Sequence, residues 1–175
     1  MRHAQICFSM AGAYAGSPLG PSTLPQLALA RPTCDLRALV EDTVLAGCVG
    51  ETLAACALAV RAAAADEPLR RLLRTMSMDE ARHAALAWRI VAWAVRTGGQ
   101  DIRDAAATAL RRAVRAARSA RDAGAPCLPE HGLPGDRVFF DTEQAALDEV
   151  VLPAAEALLQ ATRDRARGSL DELTA

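Results

Sequence analysis

With 175 residues the chain has room for one domain with a sizeable core and is too short for two of ordinary size. Hydrophobic residues reach 51% while aromatics stay at 3%, and the excess is alanine and leucine, strong helix formers that suit thin, closely packed helices. A formal net charge of −1 gives no global reason to expect nucleic acid or an anionic membrane as a partner.

In chain order, residues 1–15 have the outline of a secretory signal: Arg2, an apolar run from Ile6 to Tyr14, and Ala13-Tyr14-Ala15 before Gly16. Ser9 and Gly12 interrupt the run, so the chain is expected to be cytoplasmic, with export as the alternative. Gly16, Pro18, Gly20, Pro21, Pro25 and Pro32 then break any helix, which makes residues 1–34 an irregular leader to a helical domain at 35–175. Elsewhere no uninterrupted apolar stretch is long enough to span a membrane.

From Asp35, a plausible N-cap, a helical pattern runs to about Ala65. Asp66-Glu67-Pro68 opens a second helix that continues to about Arg96 and closes at Thr97-Gly98-Gly99. A third is expected from Asp101 to Asp122, followed by a proline-containing loop from Gly124 to Asp136. The fourth spans about Phe139 to Arg167, with Pro153 kinking it or marking a junction. The expected architecture is an all-α four-helix bundle.

Five cysteines (Cys7, Cys34, Cys48, Cys56 and Cys127) show no Cys-x-x-Cys and no dense spacing, which speaks against a disulfide framework or a zinc finger. Cys48 and Cys56, among alanines and valines, are expected to behave as small buried hydrophobes. Trp88 and Trp93 read as packing residues. Arg111, Arg112, Arg115, Arg118 and Arg121 make the third helix basic, but without interleaved aromatics they read as a solvated face.

The chemistry is concentrated in Asp79-Glu80-Ala81-Arg82-His83-Ala84. Glu80 and His83, at i and i+3, share one helix face and can point at a single ion. If the first two helices form a hairpin turning near Asp66, Glu51 and Glu80 meet at the same depth. Glu51 shares a stripe with Val44, Cys48, Ala55 and Leu58, and Glu80 one with Leu73, Met76, Ala84, Ala87 and Val91, so both carboxylates are expected to face the core. Two ionised glutamates side by side call for a compensating charge, which a metal ion supplies. Asp79 and Arg82 are candidates for orienting the ligands from behind. The competing expectation is a metal-free, hydrogen-bonded polar cluster.

The run Gly50-Glu51-Thr52-Leu53-Ala54-Ala55 followed by Asp79 to Ala84 resembles the first helical hairpin of ferritin-like proteins of the rubrerythrin type, over roughly residues 36–97. The resemblance implies a ferritin-like bundle with metal-ligand roles for Glu51, Glu80 and His83, and a non-haem iron or manganese site with oxidoreductase chemistry. Carboxylate-rich ligation with one imidazole suits those metals better than copper. The family's second half is missing, since the third helix has no glutamate and the fourth no histidine. Glu143 and, more weakly, Glu149 are the carboxylates the fourth helix could offer, and His131 would have to fold back from its loop. Three outcomes are open: a half-site holding one ion, a di-metal site completed by the fourth helix or by a second subunit in a homodimer, or a degenerate fold with no metal. The substrate and any redox partner are not encoded in these motifs.

Overall fold

The computed structural model describes residues 2–23, 35–119 and 127–160, which are all-helical, with one isolated bridge between Leu128 and Leu133 and no strand among them. The chain divides into two compact units, Met1–Thr33 and Cys34–Ala175. In the first, helix α1 (Arg2–Ala15) ends at Gly16, whose φ of 66° is left-handed. The chain then turns back on the helix, with the Ser17 N–H donating to the Gly12 carbonyl at 3.2 Å. The expectation of an irregular leader over 1–34 is corrected for residues 2–15, which hold no proline and are helical; residues 18–23 are irregular, and the stretch with Pro25 and Pro32 lies outside the described residues.

The second unit contains α2 (Leu36–Ala64), α3 (Leu69–Thr97), α4 (Gly99–Ser119) and α5 (residues 136–160). Asp35 caps α2, its carboxylate accepting from the Arg37 N–H at 3.0 Å, a contact worth about 1 kcal/mol. Pro68 sits just before α3 rather than inside its first turn, so that helix begins at Leu69. The expected ends of the third and fourth helices, at Asp122 and Arg167, lie outside the described residues.

Two stretches depart from α geometry. Thr43–Gly50 in α2 and Leu147–Val151 in α5 are π-helical, with hydrogen bonds one residue longer. The second lies directly before Pro153, which has no N–H to return to the carbonyl four residues earlier; the wider turn lets α5 continue past it. The first contains Gly47 and Gly50, both poor helix formers. Gly47 also permits a close helix approach, since a Cβ there would stand 2.5 Å from the Cβ of Ala87 on α3.

The α2–α3 pair is a hairpin, pinned by the Ser77 hydroxyl donating to the Ala55 carbonyl at 2.9 Å. α4 packs on α2 and α3, and α5 on α2. The core draws on all of them: Val40, Val44 and Cys48 from α2, Val91 and Ala94 from α3, Ala106 and Leu110 from α4, Leu147 and Val151 from α5. Trp88 packs against its edge. Burial pushes the Cys48 thiol up to about 12, and half-burial of Cys56 raises that thiol too, so both stay protonated hydrophobes at neutral pH.

The expected loop after α4 folds back as a clasp. A 3₁₀ turn at Pro129–His131 brings the Glu130 carbonyl to the Asp66 N–H and the Gly132 carbonyl to Arg61 Nε, each at 2.9 Å, so the loop closes over the turn of the α2–α3 hairpin. Gly132 has a left-handed φ of 71°, and a side chain there would stand 2.9 Å from Leu73.

By length and composition alone α2 is the one described helix apolar enough to cross a membrane, although Glu51 interrupts its apolar stretch. It has 29 residues and a mean hydropathy of 1.8 across its most apolar 18. The same helix touches α3, α4 and α5, and 28% of that stretch is buried.

Candidate metal centre

Glu51 is the first residue of α2 after the π segment, and Glu80 and His83 are neighbouring turns of α3. The π segment decides where Glu51 stands. Straight counting puts Glu51 in the buried stripe with Val44 and Cys48, yet the stripe continues through Thr52 and Ala55, both buried, and Glu51 is only half-buried beside it. Thr52 is accommodated because its hydroxyl donates to the Cys48 carbonyl at 2.6 Å. The expectation that Glu51 faces the core is therefore corrected: it stands at the margin of the hairpin.

From that margin Glu51 meets α3. One donor atom from each of Glu51, Glu80 and His83 lies within 4.8 Å of the other two. Three atoms so spaced have a common centre about 2.8 Å or less from each, against bonds of about 2.0–2.2 Å to a first-row dication, so shifts of roughly 0.6 Å in the side chains would close the shell. His83 Nδ1 is 3.0 Å from Glu80 Oε2. Glu80 is largely covered, its side chain 14% exposed, while the imidazole of His83 is 57% exposed. The group opens to solvent through its histidine rather than toward the core.

Asp79 and Arg82 hold each other, Arg82 Nη1 standing 2.9 Å from Asp79 Oδ1. Glu143, half-buried on α5, and Glu149, exposed within its π segment, lie outside the group of three. His131 is exposed on the clasp, with Nε2 3.9 Å from Glu130 Oε1. Cys48, one turn before Glu51, is buried and lies outside the group of three.

Of the described arginines of α4, three make local contacts. Arg111 reaches the Thr108 hydroxyl at 3.0 Å, Arg118 pairs with Asp148, and Arg112 and Arg115 are exposed. Arg121 lies outside the described residues. Arg103, which sequence patterning did not single out, is buried and donates to the Leu159 carbonyl, joining α4 to α5. Its position in register with Ala106 and Leu110 was the available signal.

No protein-family model, no curated protein and no solved structure matches this chain.

Proposed function

We propose that this protein is a ferritin-like four-helix bundle, α2 to α5, that binds non-haem iron or manganese through Glu51, Glu80 and His83. The observation behind this reading is the convergence of two carboxylates and an imidazole from facing helices within 4.8 Å. Two like charges held this close on a half-buried surface repel unless a cation lies between them. Two oxygen donors and one nitrogen suit iron or manganese, and three protein donors leave coordination positions for water or a small oxidant on the exposed side. Such an ion would supply one-electron redox chemistry, making an oxidoreductase the natural activity. The residues of the chain would hold the ion, Glu80 and His83 standing together on α3 with Nδ1 3.0 Å from Oε2.

A second reading is a metal-free structural bundle. The 3.0 Å contact between His83 and Glu80 favours it, because it pairs the imidazole without an ion. Elemental analysis of protein from cells supplemented with iron or manganese separates the two. The metal reading expects stoichiometric metal in wild type and its loss in His83→Ala and Glu51→Ala; wild type that stays metal-free after reconstitution refutes it.

A further inference from the structure

Helices α4 and α5 are tied to each other at two places. Arg118 pairs with Asp148 at one end of the seam, and Arg103 donates to the Leu159 carbonyl at the other, so the two helices run antiparallel. Between the ties the seam is not filled. A groove of about 500 Å³ runs there, floored by Leu110 and Val114 of α4 and by Leu152, Ala155 and Leu159 of α5. That volume is within the range of small-molecule sites. The gap follows from short side chains, since Ala107 and Ala155 line it where longer ones would interdigitate. Charge is distributed unevenly around it. Arg111, Arg115 and Arg118 follow one edge of α4 at steps of four and three, against a single lining acid, Glu156, from α5. Arg118 is neutralised by Asp148, whereas Arg111 reaches only the Thr108 hydroxyl and the Arg115 guanidinium has no partner among the described residues.

We propose that this groove binds a free single-chain carboxylate amphiphile, a medium-chain fatty acid, with its head on Arg115 and Arg111 and its tail along the apolar floor. The inference is independent of the metal reading above. An apolar channel beside two guanidiniums without carboxylate partners is complementary to a molecule that is hydrocarbon over most of its length and anionic at one end. Arginine suits that end, because its fork of N–H donors matches the two oxygens of a carboxylate. The length fits as well. From Ala107 to Arg115 α4 rises about 12 Å, the span of an extended chain of roughly ten carbons. A partner helix, about 10 Å across, cannot lie within the groove, because the ties at both ends hold α4 and α5 at side-chain contact. Nor can a flat lipid surface reach the floor, where Leu110 is 4% and Ala155 7% exposed. A single chain can enter. Its methylenes leave water for the floor and supply the affinity, while the arginines fix its direction.

Calorimetric titration of the full chain with dodecanoate below its micelle concentration tests the proposal, with dodecyltrimethylammonium as a probe of the same tail and opposite charge. Saturable binding of one dodecanoate per chain, about tenfold or more tighter than the cation, supports it. Arg111→Glu combined with Arg115→Glu reverses two exposed charges and should weaken dodecanoate about tenfold or more at unchanged helicity. Ala155→Leu, which fills the floor, should weaken both probes alike. If that buried change lowers helicity, the arginine variant decides alone. Absence of saturable binding, equal affinity for the cationic probe, or unchanged dodecanoate affinity in the arginine variant overturns the proposal. Binding seen only with vesicles of anionic phospholipid overturns it too, in favour of a membrane surface.

Discussion

The α2–α3 hairpin and the α4–α5 pair line the same core and both tie arginines to nearby acceptors, but only the hairpin, among the described residues, also brings acids and a histidine from two helices together. On α4 three arginines find local partners: Arg103 reaches the Leu159 carbonyl, Arg118 the Asp148 carboxylate, Arg111 the Thr108 hydroxyl. Such contacts are complete in themselves. On the hairpin, two carboxylates and an imidazole converge from different helices, and two of the three are acids. Convergence of like charges is costly unless something else is bound, whereas arginine tied to a carbonyl is ordinary scaffolding. That difference is what the proposed metal site rests on.

Breaking the support should have the largest effect. Leu147 on α5 is fully buried, and Leu147→Ala should cost about 2–5 kcal/mol, seen as a lowered denaturant midpoint with an unchanged slope. A loss below about 1 kcal/mol would mean that α5 does not close the core as described. Next comes the hairpin. Gly47→Ala drives a methyl toward the Cβ of Ala87, 2.5 Å away, and should cost about 1–3 kcal/mol, reduced by the better helix propensity of alanine. It should also weaken metal binding, because the clash spreads α2 from α3 one turn from Glu51; a stabilised variant would contradict the close approach. The smallest effect is expected at Arg118→Ala. Both members of that pair are exposed, so thermal unfolding should register less than about 1 kcal/mol, and a larger loss would give α4 a role beyond scaffolding.

Much of this was legible in the sequence because it depends on local signals. Asp35 caps as its residue type predicts, the break at Asp66–Pro68 separates α2 from α3, and counting from that break brings Glu51 opposite Glu80. What escaped depends on the third dimension. The longer hydrogen bonds of Thr43–Gly50 leave no periodic trace, so the replacement of Glu51 by Thr52 in the buried stripe could not be counted out. The exposure of His83 follows from the packing of α4 and α5 on the other side of the hairpin. The clasp depends on contacts between residues far apart in sequence, such as Arg61 with Gly132.

The π segment of α2 has one more consequence. The part before it, Leu36–Asp42, packs mainly on α4, and the part after it, Glu51–Ala64, packs on α3 and α5. The eight residues between act as a phase coupling between two helices that happen to share one axis. Deleting one of them would remove the extra residue of the wide turn and leave an unbroken α-helix whose two parts keep nearly the same facing, whereas a deletion elsewhere in α2 would rotate one part against the other by about 100°. This stretch should therefore absorb a one-residue deletion better than the α-helical turns on either side of it.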